Sequence, residues 1–263
     1  MTATPGAGIA RVRRRATLLR RSSIWAARIG LVVALVVLWV VADQLELVSP
    51  LVLPTFDSIV REVWHLVGES STWTQLRVTS IETATAFLIS SAAALLAGGL
   101  ASRRARIAKL VGTLTSWAQL IPLVTVYPVF LISMGIGMRS KIAFAAVLAF
   151  FPMTLACIRA LTSVDPHLKS VARFFGGSTL RTFWHVELPA ARHGLLAAAR
   201  IGAALSLIGV ILGEMLGATE GVGAAITASG QTFDTQVLYA YIVFTLIITL
   251  VFNWLVNRGA REK

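Results

Sequence analysis

Apolar residues fall along this chain in six long runs, not in the narrow stripes of helices that lie half in water. The runs are Ile24 to Ala42, Ala84 to Leu100, Gly112 to Met134, Ile142 to Ile158, Leu195 to Gly217 and Val237 to Val256. A helix needs roughly 20 apolar residues to cross the hydrocarbon of a bilayer. Each run therefore predicts one membrane-spanning helix, the third interrupted by Pro122 and Pro128.

Composition agrees with a lipid solvent. The chain is 56% hydrophobic and 14% charged over 263 residues. Soluble domains carry about 25% charged residues. The net charge of +12 would suggest nucleic acid in a soluble chain, but in a membrane protein Lys and Arg encode orientation. With the N-terminus placed inside, 20 basic residues fall on the inner side and 4 on the outer side. Both termini are therefore expected in the cytoplasm of a multi-pass protein of the cell inner (plasma) membrane, as an even number of spans requires.

The expected division is a basic cytoplasmic tail at 1–23, a transmembrane domain at 24–256 and a short tail at 257–263. The first run is longer than the h-region of a signal peptide, about 7–15 residues, and is read as a span. The basic tail suits anionic lipid headgroups or serves topology alone. Cys157 is the single cysteine; it excludes an intramolecular disulfide and reads as a small packing residue.

Between the first two runs lies an outer segment, Asp43 to Thr83, carrying Asp57, Glu62, Glu69 and Glu82. After Pro54, the apolar residues Ile59, Val60, Val63, Trp64 and Val67 recur at helical spacing. They predict an amphipathic helix at about 55–68 on the outer interface.

Catalytic signatures are missing. There is no G-x-x-x-x-G-K-[ST] for nucleotide phosphates. His65, His167, His185 and His193 all lie outside the runs, which leaves neither an intramembrane serine protease nor a metal site a ligand set. This chain is expected to be no enzyme and to bind no cofactor.

Glu214 stands inside the fifth run, near its outer end. A carboxylate there faces a partner or a water-filled cavity, or is close enough to the surface to be solvated. Gly202, Ser206, Gly209, Gly213 and Gly217 fall on one face of the same helix. Such faces let backbones approach closely, either within the chain or where a second chain or the pathway lies. We take Gln119 and Pro122 of the third run, with Gly213 and Glu214, as candidate pathway residues.

The inner loop at 165–189 reads V-D-P-H-L-K-S-V-A-R-F-F-G-G-S-T-L-R-T-F-W-H-V-E-L-P from Val164. Asp165 and Pro166 predict an N-cap and first position of a helix. Gly176 and Gly177 predict its end. Ser178 can cap a second helix running to Pro189. Leu168, Val171, Ala172 and Phe175 form one apolar side of the first. Such an elbow suits a groove on another protein or the membrane surface.

This loop resembles the cytoplasmic EAA loop of binding-protein-dependent ABC permeases, E-A-A-x-x-x-G followed by I-x-L-P. Ala172, Gly176, Val186, Leu188 and Pro189 match in place. Ser170 stands where the family has Glu, Val171 replaces Ala and Gly177 replaces the common Ala. Further stretches resemble the sulfonate, taurine and nitrate branch: Leu51 to Pro54, Ile121-Pro122, Tyr127-Pro128, Met134 to Gly137 with Ser140 to Ile142, Ala149 to Pro152, Glu214-Met215 and Gly221 to Gly223.

The resemblance implies an all-α membrane protein of six transmembrane helices with the type I ABC importer (MetI-like) permease fold. It implies a pathway made by two permease chains, as a homodimer. It also implies cytoplasmic ABC ATPase subunits, which alone hold ATP and magnesium, and an extracytoplasmic substrate-binding protein. Ser170, Val171, Ala172, Arg173, Phe175, Gly176, Gly177 and Pro189 would form the ATPase-docking loop. The expected solute is small and anionic or polar organic. A secondary transporter would show inverted repeats and intramembrane charges; a non-catalytic scaffold remains compatible with the loop.

Overall fold

The computed structural model describes residues 30–31, 33–34, 36–41, 45, 49 and 52–258. Residues 1–59 and 60–263 form two units. In the first, residues 30–31, 33–34 and 36–41 are helical, and Trp39 Nε1 donates to the Pro54 carbonyl at 3.3 Å. The remainder of the first apolar run and both tails lie outside the described residues.

The described chain is helical throughout, with no strand. The elements are α1 (Phe56–Val67), α2 (Ser70–Ala101), α3 (Ala105–Ala118), α4 (Tyr127–Met134), α5 (Met138–Thr162), α6 (Pro166–Phe174), α7 (Thr179–Thr182), α8 (Arg192–Gly217), α9 (Val222–Gln231) and α10 (Thr235–Arg258). A 3₁₀ turn, Leu123–Val126, precedes α4, and a π-helical stretch, Phe183–Glu187, follows α7. Among the described residues, α2, α5, α8 and α10 are long and apolar enough to cross a membrane. The third run is not one straight span. The two helical pieces that carry it, Ala105–Ala118 and Leu123–Met134, meet at 76°, because proline removes a backbone donor and clashes with the preceding turn.

At the centre, α5 packs along both α8 and α2. Small residues make this possible. Ala86, Ala145, Ala146 and Val210 form one buried cluster, and Ala94, Met153, Cys157 and Ala198 another. A Cβ on Gly209 would stand 2.7 Å from Ala145 Cα, and one on Gly98 the same distance from Cys157 Cβ. The glycine face of α8 thus packs within the chain. Side chains toward lipid give no hydrophobic drive in a bilayer, so close backbone approach supplies the attraction.

Two elements depart from the sequence expectation. Helix α2 begins at Ser70, not near Ala84, and absorbs the last part of the outer segment, Ser70 to Thr83. Thr72, Thr79, Glu82 and Thr83 look solvated in the sequence but are buried against neighbouring helices. Helix α9, rich in Gly, Ala, Ser and Thr, lies between the last two spans and packs on α8 and α10.

Candidate functional sites

The inner elbow is built by local rules. The Asp165 carboxylate accepts the His167 N–H at 2.8 Å and caps α6, with Pro166 at its first position. At the other end, Gly177 N–H reaches the Ala172 carbonyl at 2.9 Å and Gly176 N–H the Arg173 carbonyl at 3.0 Å. That pair is a Schellman motif, with Gly176 at φ +76°. The Ser178 hydroxyl then accepts from Arg181 N–H and starts α7. Helical backbone continues through the π stretch past Pro189 to Ala190.

No side chain of α6 is buried. Leu168, Val171, Phe174 and Phe175 are 47%, 54%, 87% and 81% exposed, whereas Lys169 and Ala172 turn partly inward. Phe174 joins the face that sequence spacing assigned to Leu168, Val171, Ala172 and Phe175. The Ser170 hydroxyl bonds back to the Pro166 carbonyl at 3.1 Å and presents no charge. Arg173 is exposed, and Pro189 lies in the last turn before α8. Beneath the elbow, Phe183 is buried with Ala160, Leu161, Val164 and Ala191. The Arg103 guanidinium stands 5.8 Å from its ring centroid.

At the other end of the bundle is a polar junction that sequence reading found only in part. Glu214 is 1% exposed. One carboxylate oxygen accepts the Thr79 hydroxyl at 2.7 Å; the other accepts Gly223 N–H at 2.8 Å. Thr79 Oγ1 in turn accepts Val222 N–H at 2.9 Å, and Gln75 Oε1 accepts Gly221 N–H. The first amides of α9, unpaired within the helix, are thereby bonded to α2 and α8. Glu214 is not simply solvated.

Glu214 is also not the one ionisable group inside the spans. Glu82 of α2, read as part of the outer segment, and Lys141 of α5 form an ion pair at 2.6 Å with 1% and 5% of their side chains exposed. Lys141 Nζ further reaches the Glu220 carbonyl at 3.4 Å. Both groups are charged neighbours of Glu214. They stand 59 positions apart in the sequence, so no local spacing could join them. Val78, Glu82, Ile136 to Met138, Lys141 and Ala218 to Glu220 line a cavity of about 140 Å³ here.

The candidate pathway residues separate into two places. Gly213 lies beside Glu214, its carbonyl accepting the Tyr127 hydroxyl at 2.9 Å. Gln119 and Pro122 are exposed at the 76° bend, where Gln119 Nε2 donates to the Thr115 carbonyl at 3.0 Å.

Residues 90–261 match the family described as "Binding-protein-dependent transport system inner membrane component". The chain belongs to this family. It is the membrane-spanning permease subunit of an ABC importer. The chain is 28% identical over 229 residues to SsuC of Bacillus subtilis, named as an aliphatic sulfonates transport permease, covering 85% of this chain and 81% of that one. It is 25% identical over 232 residues to the taurine transport system permease protein TauC of Escherichia coli, covering 85% and 83%. In fold it is similar to a chain of the MetNI methionine ABC transporter in an inward-facing conformation. The TM-score is 0.61 at 22% identity, over 75% of this permease and 95% of that chain.

Proposed function

We propose that this permease, paired with a second copy, moves a small anionic or polar organic solute into the cytoplasm. ATP and magnesium are held and hydrolysed by separate cytoplasmic subunits, and this chain binds no cofactor. The observation that carries the reading is the apolar side of α6. Leu168, Val171, Phe174 and Phe175 stand exposed on a helix that buries none of its own side chains. A short helix with such a side is suited to a groove, and the elbow at 165–189 is where an ATPase would seat. The solute class rests on the sulfonate and taurine names of two relatives. An extracytoplasmic binding protein would dock on the opposite face, with both termini of this chain in the cytoplasm.

Three measurements test this. Cysteines replacing Ser71 and Ser178, both accessible to reagent at the ends of the bundle, report sidedness in intact cells. An impermeant thiol reagent should label position 71 and spare 178; the reverse would overturn the orientation. ATPase co-purification should be lost from a Phe174→Ser, Phe175→Ser double variant that still inserts. Retention would overturn docking at the elbow. Uptake that ignores ATP would return the chain to the secondary-transporter or scaffold readings.

A further inference from the structure

The elbow has a second side, facing the membrane-spanning bundle, and its chemistry differs from the exposed one. Lys169 points there. Its Nζ lies 3.4 Å from Glu187 Oε2, with 22% and 13% of the two side chains exposed. The same Nζ lies 3.4 Å from the Leu161 carbonyl, in the last turn of α5, where the helix dipole favours a cation. One ammonium thus joins three elements: α6, the C-terminal turn of α5 and the π-helical stretch that leads into α8.

This junction stands out because α6 has so little else holding it. The helix has no buried side chain. Its caps, Asp165 and the Gly176-Gly177 turn, are bonds within the loop itself. Ser170 also bonds back onto its own helix. The buried residues nearby, Val164 and Phe183, lie before and after α6 and not on it. A helix that receives a push from another subunit can pass it on only if its angle to the spans is fixed. In α6 the inward-turned side chains are Lys169 and Ala172, and of these only Lys169 bonds to the elements beneath.

We infer that Lys169 is a positioning residue for energy coupling: its ion pair with Glu187 and its bond to the end of α5 fix the angle between the docking helix and the spans. The inference rests on the elbow being the ATPase-docking element. It adds that docking and transmission are separable, the first belonging to the exposed apolar side and the second to this inward charge pair. Neither Lys169 nor Glu187 is required for the ATPase to bind.

The test uses the complete complex with its ATPase in reconstituted membranes, and a readout that needs no solute. A single cysteine at Thr219, exposed at the outer end, is placed in a Cys157→Ala background. Its labelling rate by an impermeant maleimide is measured with and without ATP plus vanadate. In the otherwise unaltered chain ATP should change the rate about fivefold or more, the lower range of allosteric coupling. Lys169→Gln and Glu187→Gln should keep the ATPase bound and hydrolysing while the ATP response falls about two- to fivefold, the worth of a partly exposed ion pair. Lys169→Arg, which keeps both the charge and a donor for the Leu161 carbonyl, should keep the full response.

An undiminished response in both single variants would overturn the inference. So would loss of the ATPase from either, which would make the pair a docking feature, or a response in Lys169→Arg as low as in Lys169→Gln. The docking reading fails separately, through the Phe174→Ser, Phe175→Ser variant keeping its ATPase.

Discussion

Lys141 Nζ and Glu82 Oε1 lie 2.6 Å apart, joining α5 to α2 where almost no part of either side chain reaches solvent. In such surroundings the attraction between the two charges mostly offsets the cost of removing both from water. Losing one partner leaves the other charge stranded.

Lys141→Met is therefore expected to destabilise the bundle by about 3–5 kcal/mol. Replacing both, as Glu82→Met with Lys141→Met, should cost less than the single change. Thermal unfolding of the purified chain in detergent, followed by tryptophan fluorescence, reads both values. A double variant less stable than Lys141→Met would show that the two residues act through other contacts.

Glu214 anchors the start of α9 through Gly223 N–H and Thr79. Glu214→Ala leaves a buried donor unpaired, at about 1–3 kcal/mol. Glu214→Gln keeps an acceptor for Gly223 and removes the charge. Hydrogen exchange across residues 218–226 should rise strongly in the alanine variant and weakly in the glutamine variant. Equal exchange in both and in the unaltered chain would show that Glu214 does not hold this segment.

Gly221 and Gly135 offer a controlled comparison. Both have backbone angles reserved for glycine, φ +112° with ψ 162° and φ +79° with ψ 169°. A side chain at either stores about 1–3 kcal/mol of strain. Around Gly135 there is open space, whereas a Cβ on Gly221 would fall on the Glu214 carboxylate. Gly221→Ala should lower the unfolding temperature more than Gly135→Ala, the difference reporting the steric conflict alone. Equal lowering would mean that the Glu214 carboxylate moves aside without cost.

Gly176 has φ +76°, and no atom lies within 4 Å of the place a Cβ would take. Gly176→Val thus acts only through the backbone, at about 1–3 kcal/mol, and touches no span. Membrane abundance should stay normal while the ATPase is lost, or is kept without its activity responding to solute-loaded binding protein. Normal association with normal coupling would remove the elbow from the energy path.

What the sequence revealed, and what it hid, follows from where each residue finds its partners. The elbow is legible because Asp165, Pro166, Gly176 and Ser178 act on backbone groups within a few positions of themselves. Helices α5, α8 and α10 are legible because their apolar residues face lipid or one another. The outer half of α2 is not, because hydropathy treats Thr72, Thr79 and Glu82 as residues for water, while the fold buries all three and joins Thr79 and Glu82 to α5, α8 and α9. The Glu82–Lys141 pair needs the tertiary structure to exist at all. Helix α9 escapes because eight of its ten residues are small or polar and carry little periodic contrast.

The break between α3 and α4 sets a condition on the surroundings of this chain. A spanning helix satisfies its own amides, and hydrocarbon can lie against it anywhere. At a 76° bend the backbone ladder is interrupted, and Leu120, 80% exposed, and Pro122 stand beside the interruption. Hydrocarbon has no hydrogen bonds to give, so irregular backbone at membrane depth survives only against protein or water. At membrane depth, the flank carrying Gln119 to Pro122 would require protein or water against it in place of lipid tails.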